Sequence, residues 1–423
     1  METKISLCGG TEGGSGKTIY TAPNGVVITS SAPAIGSYGI KNLFNGKLAH
    51  YHNQGNDRYW LTSSELNQTL DFNLTALGES LEKITKIRVW PRSNDTDSSH
   101  YRILSSPDGV DWQEEVFWVP NFASDETPYL TLREHEVDIT NKYLRFELTK
   151  NGANGVTLCE IELWGILNLT DTHYYVNQQR GSDNFDGLTP QTAWKTITKA
   201  IDTITTNNMT GHIIVHVAPG HYRERLTLRQ SGLDLNHLFI IEGDPNCLVF
   251  PNANPGIVRI TGCDANEIAS ESSPLINFNN KTFIEIRNVY LDGCNTIVQG
   301  NSIYGQILRN CKINGQTGAV NVTCYDCEAI GATCYRGCTA YKCLGIGGNV
   351  FYQCPDVYNC TALGGNIGFG DWTSSTAYNS YNCVANGCIN GFSGYFSRCQ
   401  AINCTNPFHE AGITWDDLGG ENY

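Results

Sequence analysis

Charge is scarce in this chain. Only 17% of its 423 residues are Asp, Glu, Lys or Arg, and 28 basic residues face 42 acidic ones. A protein that neutralises nucleic-acid phosphates needs a basic face, so a net charge of −14 argues against that class and goes instead with solubility. Long apolar runs are missing too. Nothing approaches the roughly 20 residues of a membrane helix, so no membrane insertion is expected. The opening METKISLCGG lacks the apolar stretch of a secretory signal. Synthesis in the cytoplasm follows as the expectation, and there thiols stay reduced. The string GGTEGGSGKT fails as a phosphate loop, because Thr11 stands where its first glycine belongs. The segment after it, TIYTAPNGVVIT, is β-branched and broken by Pro23, so it is no helix.

Glycine and cysteine are what the chain has in plenty, with 43 and 17 residues. Many glycines with few charges suit a turn-rich all-β protein. A hydrophobic content of 40% supplies a core, and the length allows two or three domains. Most cysteines lie between Cys294 and Cys404, in a repeat. Cys-x-Ala occurs at Cys327/Ala329, Cys338/Ala340, Cys360/Ala362, Cys383/Ala385 and Cys399/Ala401. Three units place a phenylalanine nine positions on, at Phe369, Phe392 and Phe408. Positions i and i+2 of a strand point to one side, so each unit sets a thiol and a methyl on one face. Stacked about 4.8 Å apart, such units form the inner wall of a parallel β-helix. The thiols read as small buried hydrophobes; scattered disulfides are the alternative. Cys324-x-x-Cys327 offers zinc a single pair, with no second pair or histidine at ligand spacing. The steps between first cysteines are 11, 22, 23 and 16 residues. A coil of about 20 residues accommodates 22 and 23. The step of 11 puts Cys327 and Cys338 on different strands of one coil, or the register is wrong there.

Three regions follow. Residues 1–25 are Gly-rich and irregular, an expected flexible arm or a segment that docks on a partner such as the virion. Residues 26–166 alternate in strand-like runs such as KITKIRVW and KYLRFEL, parted by turn clusters. Within them NLFNGK (42–47) ahead of Trp60, then YRILSSPDGVDW (101–112), then LCEIELWG (158–165) resemble the discoidin or coagulation-factor type C jelly roll, which is also a family of carbohydrate-binding modules. Residues 167–423 open with YYVNQQRGSDNFDGLTPQTAWKTITKAID and HIIVHVAPGHYRERLTL. These resemble the start of right-handed parallel β-helices of the pectate-lyase-like superfamily. KTITKAIDTI reads as an amphipathic helix, with Ile197, Ala200, Ile201 and Ile204 on one face, and in such folds it caps the open coil. The fold class is therefore all-β: a galactose-binding-like jelly-roll sandwich followed by a right-handed parallel β-helix.

The resemblances imply chemistry. In sugar-binding relatives a Pro-Arg on one rim holds sugar hydroxyls with nearby polar and aromatic groups. Here Pro91-Arg92 matches, with Asn94 or Asp97 as the amide partner. His50 and His52 stand on the loop facing that rim, and Trp60 offers a stacking face. The structural calcium of such relatives would fall on Asn45 and Glu160, with Asn45 replacing the usual carboxylate. Within the repeat, Asp326 and Glu328 are the one carboxylate pair at strand spacing, the weak candidates for catalysis. The combination of binding module, β-helix and missing secretion signal resembles bacteriophage tail spikes, tail fibres and capsid-attached fibres. It implies a virion surface protein on host cell-surface polysaccharide, a homotrimer beside other virion proteins. A polysaccharide depolymerase, lyase or glycosidase, and a purely structural decoration protein are the alternatives.

Overall fold

The computed structural model describes residues 2–13, 17–32, 39–44, 60–61, 67–91, 100–118, 132–149, 157–206, 209–262, 273–301, 305–370, 379–393 and 395–409. The chain divides into two compact units, Met1–Thr170 and Asp171–Tyr423.

Alternating apolar residues build the first unit. Its strands are β1 (Glu2–Lys4), β2 (Thr11–Gly13), β3 (Ile19–Thr21), β4 (Val27–Ser30), β5 (Trp60–Leu61), β6 (Asn67–Asn73), β7 (Leu81–Pro91), β8 (His100–Ser106), β9 (Gln113–Trp118), β10 (Arg133–Ile139), β11 (Tyr143–Thr149) and β12 (Thr157–Leu167). One sheet runs β1-β12-β7-β10, with β5 also on β12; the other runs β2-β3-β4-β6-β11-β8-β9. Every pairing is antiparallel. Ile84, Ile87 and Val89 from one sheet meet Leu144, Phe146 and Leu148 from the other in a single buried core. This is the jelly-roll sandwich. The described part of the first 25 residues joins this sandwich. β1 pairs with β12, β3 pairs with β4, and Ile5, Leu7 and Tyr20 are buried in the core.

The SPDG sequence makes the expected tight turn. Gly109 takes φ 81°, and Asp108 Oδ1 accepts from the amides of Val110 and Asp111 at 2.8 and 3.0 Å. Trp112 lies under the Arg145 guanidinium at 4.2 Å, which Asp71 holds from the side.

The second unit is a parallel β-helix with three faces. Face A stacks ten strands, from Thr172–Val176 through Ile213–Val217 and Phe239–Gly243 to Tyr395–Ser397. Faces B and C share one continuous sheet, because Glu328–Arg336 and Leu344–Tyr352 each bend through both. The bend needs glycine: a Cβ on Gly331 would fall 1.9 Å from the Gly315 carbonyl oxygen, and one on Gly347 1.8 Å from that of Gly331. From Asn288 on, the corner from face A to face B holds one left-handed residue per coil: Asn288, Asn310, Asp326, Lys342, Asn359, Asn382 and Arg398, with φ of 48–59°. Asparagine tolerates that region better than most residues. Here its side chains also bond along the stack, Asn310 donating to Asn288 at 2.9 Å and Asn382 to Asn359 at 2.5 Å.

The expected helix is Ile197–Thr203. Thr196 caps it by accepting from the Lys199 amide, and Ile197, Ala200 and Ile201 are buried.

The fifteen described cysteines are free, and twelve of them are buried. The coil is shorter than expected. Thr323 pairs with Thr339 sixteen residues on, and Ala340 with Val357 seventeen on. Cys327 and Cys338 accordingly stand in one coil, introducing faces B and A respectively. The thiol one coil above Cys327 is Cys343, followed by Cys360, Cys383 and Cys399 in one column. The phenylalanines form an inner column on face C, where Tyr335, Phe351, Phe369 and Phe392 stack at 4.7–4.9 Å.

Candidate functional site

The sandwich gathers many strand ends at one rim. Pro91 stands opposite Leu158, and Leu158 opposite Trp60. On the other sheet His100 faces Thr149, which faces Asn67. Trp118 faces Tyr101, and Arg133 faces Val89, two residues short of Pro91. Each place where the chain passes to residues 62–66, 92–99, 119–131 and 150–156 therefore lies at this end. Pro91, the residue before Arg92, is at the rim. Arg92, Asn94, Asp97, His50 and His52 themselves lie outside the described residues, and Trp60 is described only as a member of β5.

One corner of the rim departs from the apolar pattern. Cross-strand partners point to the same side of a sheet. Because Val89, Ile87 and Tyr101 are buried, Arg133, His135 and Trp118 opposite them point between the sheets. Tyr101 and Trp118 stack at 4.8 Å, and the Arg133 guanidinium lies over the Trp118 ring at 5.5 Å. The Tyr101 hydroxyl is 2.7 Å from His135 Nε2. Burial raises the Tyr101 pKa. Burial, then the Arg133 charge, lowers that of His135. Arg133 Nε is buried with no hydrogen-bond partner. Sequence reasoning passed over this corner, although the alternation in REHEVDI marks it: the positions that share a face with Val137 and Ile139 hold Arg133 and His135.

The repeat's carboxylates do not form the expected pair. Asp326 occupies the left-handed corner between faces A and B, exposed, while Glu328 begins the next strand. The corner breaks the strand between them, so strand alternation does not align them. Glu328 lies 3.4 Å from Lys312 one coil below. Of the residues expected at calcium, Glu160 is buried on β12 and Asn45 lies outside the described residues. Among the described residues no group of three or more His, Cys, Asp or Glu is placed to hold a metal ion. With only Glu160 of the expected pair described, no step is assigned to calcium.

No protein-family model matches the chain, and no curated protein matches it. Several solved structures do. CpGH89CBM32-5 from Clostridium perfringens, in complex with GalNAc-β-1,3-galactose, is similar over 33% of this chain and 94% of its own, at 17% identity and a TM-score of 0.24. The family 32 carbohydrate-binding module of C. perfringens NanJ, in complex with galactose, is similar over 39% and 99%, at 15% identity and 0.26. Chitosan-binding module 1 of a chitosanase/glucanase from Paenibacillus sp. IK-5 is similar over 33% and 93%, at 19% identity and 0.25. Likeness at these scores leaves the function to be read from the chain's own residues.

Proposed function

We propose that the protein binds carbohydrate through the rim of its jelly roll, with the β-helix as scaffold. More specifically, it is a virion surface protein that attaches to host cell-surface glycans, working as a homotrimer beside other virion proteins. The observation that carries the sugar-binding reading is the convergence of strand ends at one end of the sandwich. Pro91 stands there, at the start of the segment holding Arg92, Asn94 and Asp97. Sugar sites need convergent polar groups and an aromatic on a rigid frame, and a core of fully buried aliphatics supplies the frame. What supports the virion assignment is the order of the two folds, a jelly roll ahead of a β-helix.

A glycan array with the intact protein and its Arg92→Ala variant tests the reading. The protein should bind a defined set of glycans, and the variant should lose at least tenfold in affinity for them. An array on which the unmodified protein binds nothing would end the reading.

A further inference from the structure

Most cations of the sandwich are matched with acids. Arg88 meets Glu134 at 2.6 Å, Arg145 meets Asp71 at 2.6 Å, and Arg102 is joined to Glu147. Arg133 is the exception among the described arginines of this unit. Among the described residues no carboxylate pairs with it, it points between the sheets, and its Nε–H is buried without an acceptor. An unbonded buried donor is costly, and a native structure that keeps one calls for a reason. Cation–π contact with Trp118 at 5.5 Å holds the guanidinium but takes none of its protons. The neighbouring polar groups do not bond it either: the Tyr101 hydroxyl and His135 Nε2 bond each other at 2.7 Å.

The corner thus holds a positive charge with an unbonded donor, at the rim where the sugar-binding reading places its ligand. We infer that Arg133 is a specificity determinant for an acidic sugar, taking the carboxylate of a uronate or sialate residue. A guanidinium offers Nε–H and one Nη–H side by side, the spacing of two carboxylate oxygens. A carboxylate that draws the guanidinium toward the rim satisfies the orphan donor and supplies the missing counter-charge together. A neutral hydroxyl does only the first. The inference rests on the sugar-binding reading and adds the class of sugar.

The test is calorimetric titration of the intact protein with two matched pairs: sialyllactose against lactose, and tetragalacturonate against its methyl ester. In at least one pair the acid should bind tenfold or more tighter than its neutral counterpart. Arg133→Gln should bring the two within about twofold. Arg133→Lys, which keeps the charge but not the fork, should retain a reduced preference. Thermal melting of both variants near the parent temperature secures the comparison. Two results overturn the inference while leaving sugar binding standing: neutral members bound as tightly as acids, or an acid preference undiminished in both variants. Failure of any sugar, charged or neutral, to bind on the array and in the titrations would remove the underlying reading as well.

Discussion

At the scale of single residues, the thiol column shows what cysteine contributes to a coil interior. Cys327, Cys343, Cys360, Cys383 and Cys399 are each at most 2% exposed. Each sits just before a face-B strand, where a larger side chain would meet the coil above. Cys383 Sγ donates to the Tyr381 carbonyl at 3.2 Å and lies 3.5 Å from the Cys360 amide. Cys383→Ser should destabilise the protein by about 1 kcal/mol, the lower end of the roughly 1–3 kcal/mol for a buried hydroxyl, because the Tyr381 carbonyl can still accept. Urea unfolding measures it, and unchanged stability would show the column to be open to water. The thiol-and-methyl alternation was legible in Cys-x-Ala because a strand's period of two is written directly in the sequence. The column was not. Cys343 is followed by Gly345 where its neighbours have alanine, so the unit that fixes the sixteen-residue coil does not match the repeat. One left-handed residue turns the chain from face A to face B, and that economy makes the coil shorter than strand and turn averages suggest.

At the scale of elements, face A carries an outer stripe that changes character along its length. His216 Nδ1 lies 3.4 Å from Glu242, Arg287 bonds Glu242 at 2.9 Å, and Arg309 lies 3.2 Å from the buried Glu285. The Arg309 guanidinium then covers Tyr325 at 4.4 Å, and Tyr325, Tyr341, Tyr358 and Tyr381 stack at 4.9–5.0 Å. His216 first and Arg287 next hold the Glu242 pKa down to about 2, against an ordinary 4.5. A carboxylate depressed in the folded state adds stability above its unfolded pKa and loses it as pH falls through the folded one. Glu242 should therefore stabilise the β-helix at neutral pH and stop doing so between about pH 4.5 and 2. Glu242→Gln should lower the denaturation midpoint at pH 7, and the gap to the parent protein should close by pH 2. A gap that stays constant with pH would show that the carboxylate's charge is not what stabilises. Little of this stripe could be read from the sequence. Most face-A strands in the Cys-rich coils are three residues long, too short for a period to declare itself, and only the register brings Tyr325 under Tyr341.

At the scale of the whole molecule, the apolar clusters decide what folds alone. The sandwich core runs from Ile5 to Leu163, and the β-helix core from Val176 to Ala401. Neither buried set contains a residue from the other side of the Thr170/Asp171 boundary. A unit with its own closed core should fold independently. Residues 1–170 made alone should then give a cooperative melt and keep the glycan affinity of the full chain within about twofold. The outcome bears on mechanism as well as on folding. The most regular part of the sequence, the cysteine repeat, builds scaffold, and repetition made it legible. The rim was legible only as far as Pro91, because connections between strands follow no period. The Arg133 corner was written in the strand alternation, as polar residues at positions the period assigns to the core. If 1–170 folds but binds sugar far more weakly than the intact chain, the ligand must also touch the β-helix, and the rim alone would no longer account for recognition.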